Sequence, residues 1–315
     1  MTIVALAGGI GAAKLCEGLY AELGADLTII TNVGDDDVFF GLNVSPDLDI
    51  IAYTLAGIVD QDRRWGLAGE TFNCLQRLSL LYPETWFSIG DKDLATHIFR
   101  THQLQQGKSL SEITREIVGK LGIRCTILPA SDNKLQTKLH TSQGTLAFEE
   151  YFVKNKANVP LTQIEYRGAS DAKPAPGVIN ALSQAERVII CPSNPMLSIA
   201  PILAIPGIRE IIARRREHVI AVTPIIQGTA VKGPTARNLL EFGYESSALG
   251  VIDYYKPDLF SHFVMDLRDQ CLLREIPPDR FSPPVSISIA DTLMVDSAKK
   301  VELARHVLNL PLTSS

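Results

Sequence analysis

A chain of 315 residues that is 46% hydrophobic and 21% charged can bury a large core as one or two globular domains, and its formal net charge of -5 argues against a nucleic-acid partner. No run approaches the roughly 18 apolar residues of a membrane span, and "MTIVALAGG" lacks the basic lead-in of a signal sequence, so no membrane partner and a cytoplasmic location are expected. Five cysteines (Cys16, Cys74, Cys125, Cys191, Cys271) are odd in number and form no CxxC pair, which excludes a disulfide framework and a thiolate zinc site.

In chain order, "TIVALA", "AAKLCEGLYAEL" and "LTIITN" predict strand, helix, strand, with Leu15, Leu19 and Leu23 along one helical stripe; this is a βαβ unit and implies a parallel sheet. A loop then leads to a strongly signalled helix, with Ser45 as N-cap, Pro46 at the first helical position, and Asp47 and Asp49 in the first turn. "GDKDLATHIFRTHQL" (90 to 104) predicts a further helix capped by Asp91 or Asp93, and "SLSEITREIVGKLG" one with a Ser109 to Glu112 capping box, ending on Gly122. Between 123 and 167 the segments "IRCTILPASD", "LQTKLHT", "LAFEEYFV" and "QIEYRG" are short and alternating, as in an inserted antiparallel hairpin region. The βα rhythm then returns, with helices at 177 to 185, 207 to 216 and 235 to 242 around the strands "RVIIC" and "HVIAVTP". The tail offers "SHFVMDL" and "VSISIA" as strands and "SAKKVELARHVLNL" as a last helix. The basic run "ARRREH" at 213 to 218 reads as a helix C-terminus rather than a nucleic-acid patch. The expected fold class is α/β: a three-layer parallel sheet from 1 to 122 and 168 to 315, with a smaller α+β insert at 123 to 167.

Gly8, Gly9, Gly11 and Lys14 form G-G-x-G-x-x-K directly after the first strand. A dinucleotide fingerprint wants glycine where Lys14 stands and an acid where the second strand ends on Asn32, and a P-loop wants four residues between its glycines. Backbone N–H groups at a helix start still cradle an anion, so a phosphate site is expected; the alternative is a tight turn whose glycines serve packing alone. Asp35, Asp36, Asp37, Asp47 and Asp49 follow the second strand within fifteen residues. Taken singly, Asp47 and Asp49 complement a helix dipole; together the five repel unless a cation such as Mg²⁺ sits among them, and one left over would accept a proton. Lys92, His97 and Arg100 fall near one helix face, where His97 alone reads as a structural histidine. Ser193 and Asn194 lie just past a central strand, where open α/β sheets bind ligands, although Asn194-Pro195 is equally a turn signal. No GxSxG elbow and no HExxH occur, so hydrolase and zinc-protease chemistry is not expected.

"GGIGAAKL", "NVGDD", "GLNVSPDLD", "WGLAGETF", "GDKDLATHIFRT", "LSEIT", "CPSNPMLSIAPILAIPGIR" and "TPII", in this order over roughly residues 3 to 230, resemble the 2-phospho-L-lactate transferase family of coenzyme F420 biosynthesis. The resemblance implies a Rossmann-like, Mg²⁺-dependent homodimer. It also implies transfer of a phospholactyl or phosphoenolpyruvyl group from a guanosine-diphosphate-activated donor to the ribityl hydroxyl of the deazaflavin Fo, with release of GMP. On that basis Gly8, Gly9, Gly11, Lys14, Asn32, Ser193 and Asn194 are candidates for the nucleotide, Asp35, Asp36 and Asp49 for the metal, and Asp36, Asp47 and Lys92 for catalysis. A non-enzymatic nucleotide-sugar-binding regulator shares the glycine turn and the "NVGDD" run; "WGLAGETF" and "GDKDLATHIFRT" discriminate against it. An NAD-dependent dehydrogenase is disfavoured by Lys14 and Asn32.

Overall fold

The computed structural model describes residues 2–231, 233–277 and 279–311. Strand β1 (Ile3–Ala7), helix α1 (Gly9–Leu23) and strand β2 (Leu27–Thr31) open the chain. Every residue of β1 is buried, as a central parallel strand covered on both faces by helices requires. A short hairpin, β3 (Asp37–Phe39) and β4 (Leu42–Val44), leads to α2 (Pro46–Leu55), α3 (Asn73–Leu78), α4 (Asp93–Gln105) and α5 (Leu110–Lys120). Then come β5 (Thr126–Pro129) and an antiparallel sheet of β6 (Gln136–Thr141), β7 (Gly144–Ala147) and β8 (Leu161–Arg167), ordered β7-β6-β8. The βα rhythm resumes with α6 (Val178–Gln184), β9 (Arg187–Ile190), α7 (Ala200–Leu203), α8 (Ile208–Arg214) and β10 (Val219–Val222). A two-residue ribbon, β11 (Ile225–Ile226) and β12 (Thr229–Ala230), precedes α9 (Thr235–Glu241) and α10 (Ala248–Tyr255). Strands β13 (His262–Asp266) and β14 (Ser286–Ala290) and helix α11 (Ser297–Asn309) complete the described elements.

Seven strands form one sheet in the order β14-β13-β10-β9-β1-β2-β5, with every pairing parallel. The fold is therefore α/β, with one apolar core on each face of the sheet. From β1 the chain moves one way to β2 and β5; from β9 it moves the other way to β14. The reversal between β1 and β9 is the switch point at which such sheets open a crevice beyond their carboxyl ends. It sets the glycine turn after β1 beside the Pro192-Ser193-Asn194 turn after β9, so closely that a Cβ on Gly11 would lie 2.2 Å from the Pro192 carbonyl oxygen.

Several local signals appear as expected. Ser109 Oγ accepts the Glu112 N–H while the Glu112 carboxylate accepts the Ser109 N–H, and "SHFVMDL", "VSISIA" and "SAKKVELARHVLNL" become β13, β14 and α11. Others differ. "IRCTILPASD" holds β5, which is the edge strand of the main sheet: Ile127 and Leu128 are buried where Thr126–Pro129 pair with Thr28–Thr31, so the small sheet begins only at Gln136. Helix α4 has Lys92, not an aspartate, at its cap; Asp91 instead accepts from Thr71, Asn73 and the Cys74 N–H. The basic run at 213 to 218 does lie at the C-terminus of α8, as expected, and it has a further role: Arg215 and Arg216 donate to the carbonyls of Ala185, Pro257 and Pro284 and tie down loops. Helix α11 packs on α1, where a Cβ on Gly18 would meet the Lys300 carbonyl oxygen at 2.2 Å and Lys300 Nζ donates to Glu17 Oε2 at 2.6 Å. Among the described residues no single helix is long and apolar enough to cross a membrane.

Candidate functional site

The glycine turn is shaped by close packing and by an internal anion. Gly8 is the N-cap of α1, and a Cβ there would come within 2.8 Å of both Asp47 Oδ2 and Ser198 Cβ; Gly9 holds φ at +73°, which glycine adopts without strain. The Gly9 N–H, which a phosphate would take, donates to Asp47 Oδ1 at 2.6 Å. Asn32 Nδ2 donates to Asp47 Oδ2 at 2.9 Å, and Asn32 Oδ1 accepts the Gly34 N–H at 2.7 Å. The carboxylate of Asp47 thus already sits at the positive end of α1. The turn after β9 is held in a similar way: Asn194 Oδ1 accepts from the N–H groups of Met196 and Leu197, and Asn194 Nδ2 donates to Asn238 Oδ1 at 3.0 Å. These bonds start a one-turn π-helix at Pro195–Ile199, a feature that recurs at functional sites. Ser193 Oγ beside it is buried and has no partner.

The carboxylates fall into two sets. In the first, Arg100 Nη2 and Nη1 bond both oxygens of Asp49, the latter at 3.0 Å to Oδ2. His97 Nε2 lies 3.3 Å from Asp93 Oδ2, and Tyr53 OH donates to Asp93 Oδ1 at 2.7 Å. Burial alone would raise Asp93, but the bonds from His97 and Tyr53 leave it below its ordinary value. Asp49, Asp93 and His97 present ligand atoms within 4.8 Å of one another, a spacing a metal could use. Those atoms are already engaged, and the guanidinium beside them disfavours a second cation. In the second set, Ser45 Oγ donates to Asp36 Oδ2 at 2.7 Å, while Asp35 Oδ1 and Asp36 Oδ1 are buried with no partner. Burial, then the charges of Asp47 and Glu149, push Asp35 well up, and burial does the same to Asp36 despite Ser45 and Arg100. Burial lifts Asp47 to about 6 against its bonds from Gly9 and Asn32, and burial with the charges of Asp47 and Asp37 lifts Glu149 to about 8.

Both sets border one cavity of about 610 Å³, and its wall includes Gly8, Gly9, Gly11, Lys14, Asp35, Asp47, Asp49, Ser193 and Asn194. Lys14 Nζ donates to the Met294 carbonyl at 2.9 Å. The family model for "2-phospho-L-lactate transferase CofD" matches residues 3–268. The chain belongs to the CofD family. Its relatives include a phosphoenolpyruvate transferase of Kitasatospora aureofaciens, 38% identical with 98% of each chain covered. A 2-phospho-L-lactate transferase of Methanopyrus kandleri is 37% identical, with 98% of this chain and 97% of that one covered. The same fold is found in a crystal structure of a UPF0052-family protein from Bacillus halodurans, at a TM-score of 0.64 and 14% identity over 98% of this chain and 99% of that one. As a CofD-family member the protein is an enzyme, a transferase.

In this CofD-family chain the structure assembles most of the residues picked out from sequence, with four exceptions. Asp49, expected among the metal ligands, has both oxygens on Arg100. Asn32 and Asp36 stand behind the cavity wall, where Asn32 positions Asp47. Lys92 lies outside the cavity, with Nζ donating to the Ala68 carbonyl at 2.7 Å. The sequence reading missed Glu149 and the aromatic wall of Trp65, Phe87, Phe148 and Phe152, of which Phe148 and Phe152 stack at 5.6 Å. Two adjacent glutamates in "LAFEEYFV" were the available signal for Glu149, and strand alternation alone does not say which one turns inward.

Proposed function

We propose that the chain transfers a phospholactyl or phosphoenolpyruvyl group from a guanosine-diphosphate-activated donor to the ribityl hydroxyl of the deazaflavin Fo. The products are GMP and a coenzyme F420 precursor, and the enzyme works as a cytoplasmic homodimer. The observation that carries this reading is a single cavity with three kinds of wall: a glycine turn at a helix start with the unpartnered Ser193 hydroxyl, a group of repelling carboxylates, and four aromatic rings. The first suits phosphate oxygens and the last the planar face of a deazaflavin.

The buried, unpartnered oxygen of Asp35 on the cavity wall fits a hard divalent cation better than the Arg100-bound group does, so Asp35 would hold Mg²⁺, with the buried carboxyl of Asp36 behind it. When bound, Mg²⁺ neutralises diphosphate charge and stabilises the leaving GMP. The ribityl oxygen attacks the phosphorus that bears the three-carbon acid, the bond from that phosphorus to the GMP oxygen breaks, and Asp47 takes the hydroxyl proton. Burial raises its proton affinity above that of an exposed aspartate, the direction a general base requires. A phosphate that claims the Gly9 N–H also displaces Asp47 from it, freeing that carboxylate for the proton. Ser193 and Lys14 meet phosphate oxygens at the switch point, and positioning with charge neutralisation supplies most of the rate, as in other phosphoryl transfers.

The test combines purified chain, Mg²⁺ and Fo with, in parallel, the guanosine diphosphate esters of phospholactate, phosphoenolpyruvate and 3-phosphoglycerate, read by mass spectrometry. Product plus GMP in any tube establishes the transfer and names the donor. No product in any tube, with Fo failing to bind, overturns it.

A further inference from the structure

We propose that Asn238, which does not line the cavity, is a positioning residue for the nucleotide donor: acting through Asn194, it sets where the buried Ser193 hydroxyl stands at the switch point. This rests on the reading above that the turn after β9 meets phosphate oxygens, and it adds a residue of α9 that stands behind that turn.

The direction of each bond in this chain is fixed by its two ends. Asn194 Oδ1 accepts from the N–H groups of Met196 and Leu197 at 3.0 and 3.1 Å, which turns Nδ2 the other way. An amide nitrogen can only donate, so Asn238 must offer its oxygen, and Oδ1 accepts at 3.0 Å. Asn238 Nδ2 then faces Glu241, whose Oε2 accepts at 3.1 Å, and the Tyr151 hydroxyl at 3.5 Å. Arg237 Nε lies 3.1 Å from the other oxygen of Glu241. Asn238 is fully buried, so a bond lost there strands a polar group. The network ends in the antiparallel unit: Arg237 Nη2 donates to Tyr151 OH at 2.6 Å, and Tyr166 of β8 donates its hydroxyl to the Met196 carbonyl at 2.6 Å. The other side of the turn is fixed by backbone, since the Pro192 carbonyl sits against Gly11. Between these two anchors Ser193 is 5% exposed, lines the cavity and has no partner for Oγ. A buried hydroxyl without a partner on a cavity wall is satisfied by an acceptor in the cavity, and a shift of about 1 Å in such a group is costly to the ligand it meets.

The probe is GDP with Mg²⁺, titrated calorimetrically into the full chain, with Fo binding followed in parallel by its fluorescence. N238D keeps the shape of the side chain and an acceptor for Asn194, but it sets an oxygen against Glu241 Oε2, and two buried carboxylates in contact repel. N238D is expected to bind GDP at least about tenfold more weakly and Fo within about twofold of wild type. Adding E241Q supplies an amide donor where the repelling oxygen stood and is expected to return GDP affinity to within about threefold of wild type. Unchanged GDP affinity in N238D, equal losses for GDP and Fo, or no recovery in N238D/E241Q overturns the assignment, because a general loosening would strike both ligands and would not answer to one charge. Should N238D not fold, N238S, whose shorter side chain leaves Asn194 without its acceptor, carries the same expectation, and GDP affinity within about twofold of wild type overturns the assignment there too. The two readings fail separately. A wild type that binds no GDP sinks the donor half of the transfer and this assignment with it, whereas GDP bound equally by wild type and N238D removes Asn238 and leaves the transfer standing.

Discussion

Asp47 and Asp49 lie two residues apart in the first turn of one helix, yet they belong to opposite electrostatic situations. Side chains at i and i+2 leave a helix in different directions. Asp49 points to α4 and meets Arg100, and that group is closed, with guanidinium, imidazole and phenol each meeting a carboxylate. Asp47 points to the glycine turn and joins Asp35, Asp36 and Glu149, an open group whose burial raises the proton affinity of every member. The closed group holds α2 against α4. The open group has perturbed proton affinities on a cavity wall, and that is a better guide to chemistry than the number of acids.

Four substitutions or conditions would break or sharpen that contrast. Arg100→Met leaves Asp49 buried and unpaired, and a urea melt is expected to show about 3 to 5 kcal/mol of lost stability; a loss below about 1 kcal/mol would mean that the closed group does not depend on its guanidinium. Asp36→Asn works on the other group: turnover with Mg²⁺ is expected to fall by at least about 100-fold, while the melting temperature does not drop. Activity within a few-fold of wild type would remove Asp36 from the chemistry. The third is pH. Asp47 rises from 3.8 to about 6 and Glu149 from 4.5 to about 8 in the folded chain, so stability is fully present below the lower figures and is lost as pH climbs to the upper ones. Melting temperature of the metal-free chain should therefore fall by a few degrees between pH 5 and pH 8, and Mg²⁺ should remove most of the fall. A flat metal-free profile would show the open group to be internally compensated. The smallest effect belongs to Lys92→Ala, outside both groups: less than about 0.5 kcal/mol of stability and turnover within a few-fold. A larger loss of turnover would bring the Ala68 loop into the site.

What was legible in the sequence was local. The capping box at Ser109, Pro46 at its helix start and the glycine turn after β1 each rest on residues within a few positions of one another. The site needed contacts that no short window contains. Arg100 reaches Asp49 across 51 positions, and only the packing of α4 near α2 brings them together. Ser45 looked like a capping hydroxyl, yet it makes no cap bond and donates instead to Asp36, a choice set by where the β3-β4 hairpin places that carboxylate. Strand β5 is four residues long and followed by an alternating stretch, so its allegiance to the main sheet depends on pairing with β2 and not on its own pattern. Glu149 was hidden by a π turn, which has no simple periodicity.

The close seat of α11 on Gly18 has a consequence for how the chain is made. Helix α1 carries the glycine turn, but the backbone that presses on it arrives with Lys300, 283 residues after the Glu17 to which its ammonium bonds. Strand β1 likewise waits for β9 to fill one flank. On the ribosome this βαβ unit therefore emerges with a strand edge and an apolar helix face uncovered, and the two are covered only once β9 and α11 have followed. Such long-range closure slows folding, because the cost of closing the loop falls before the contact that rewards it can form.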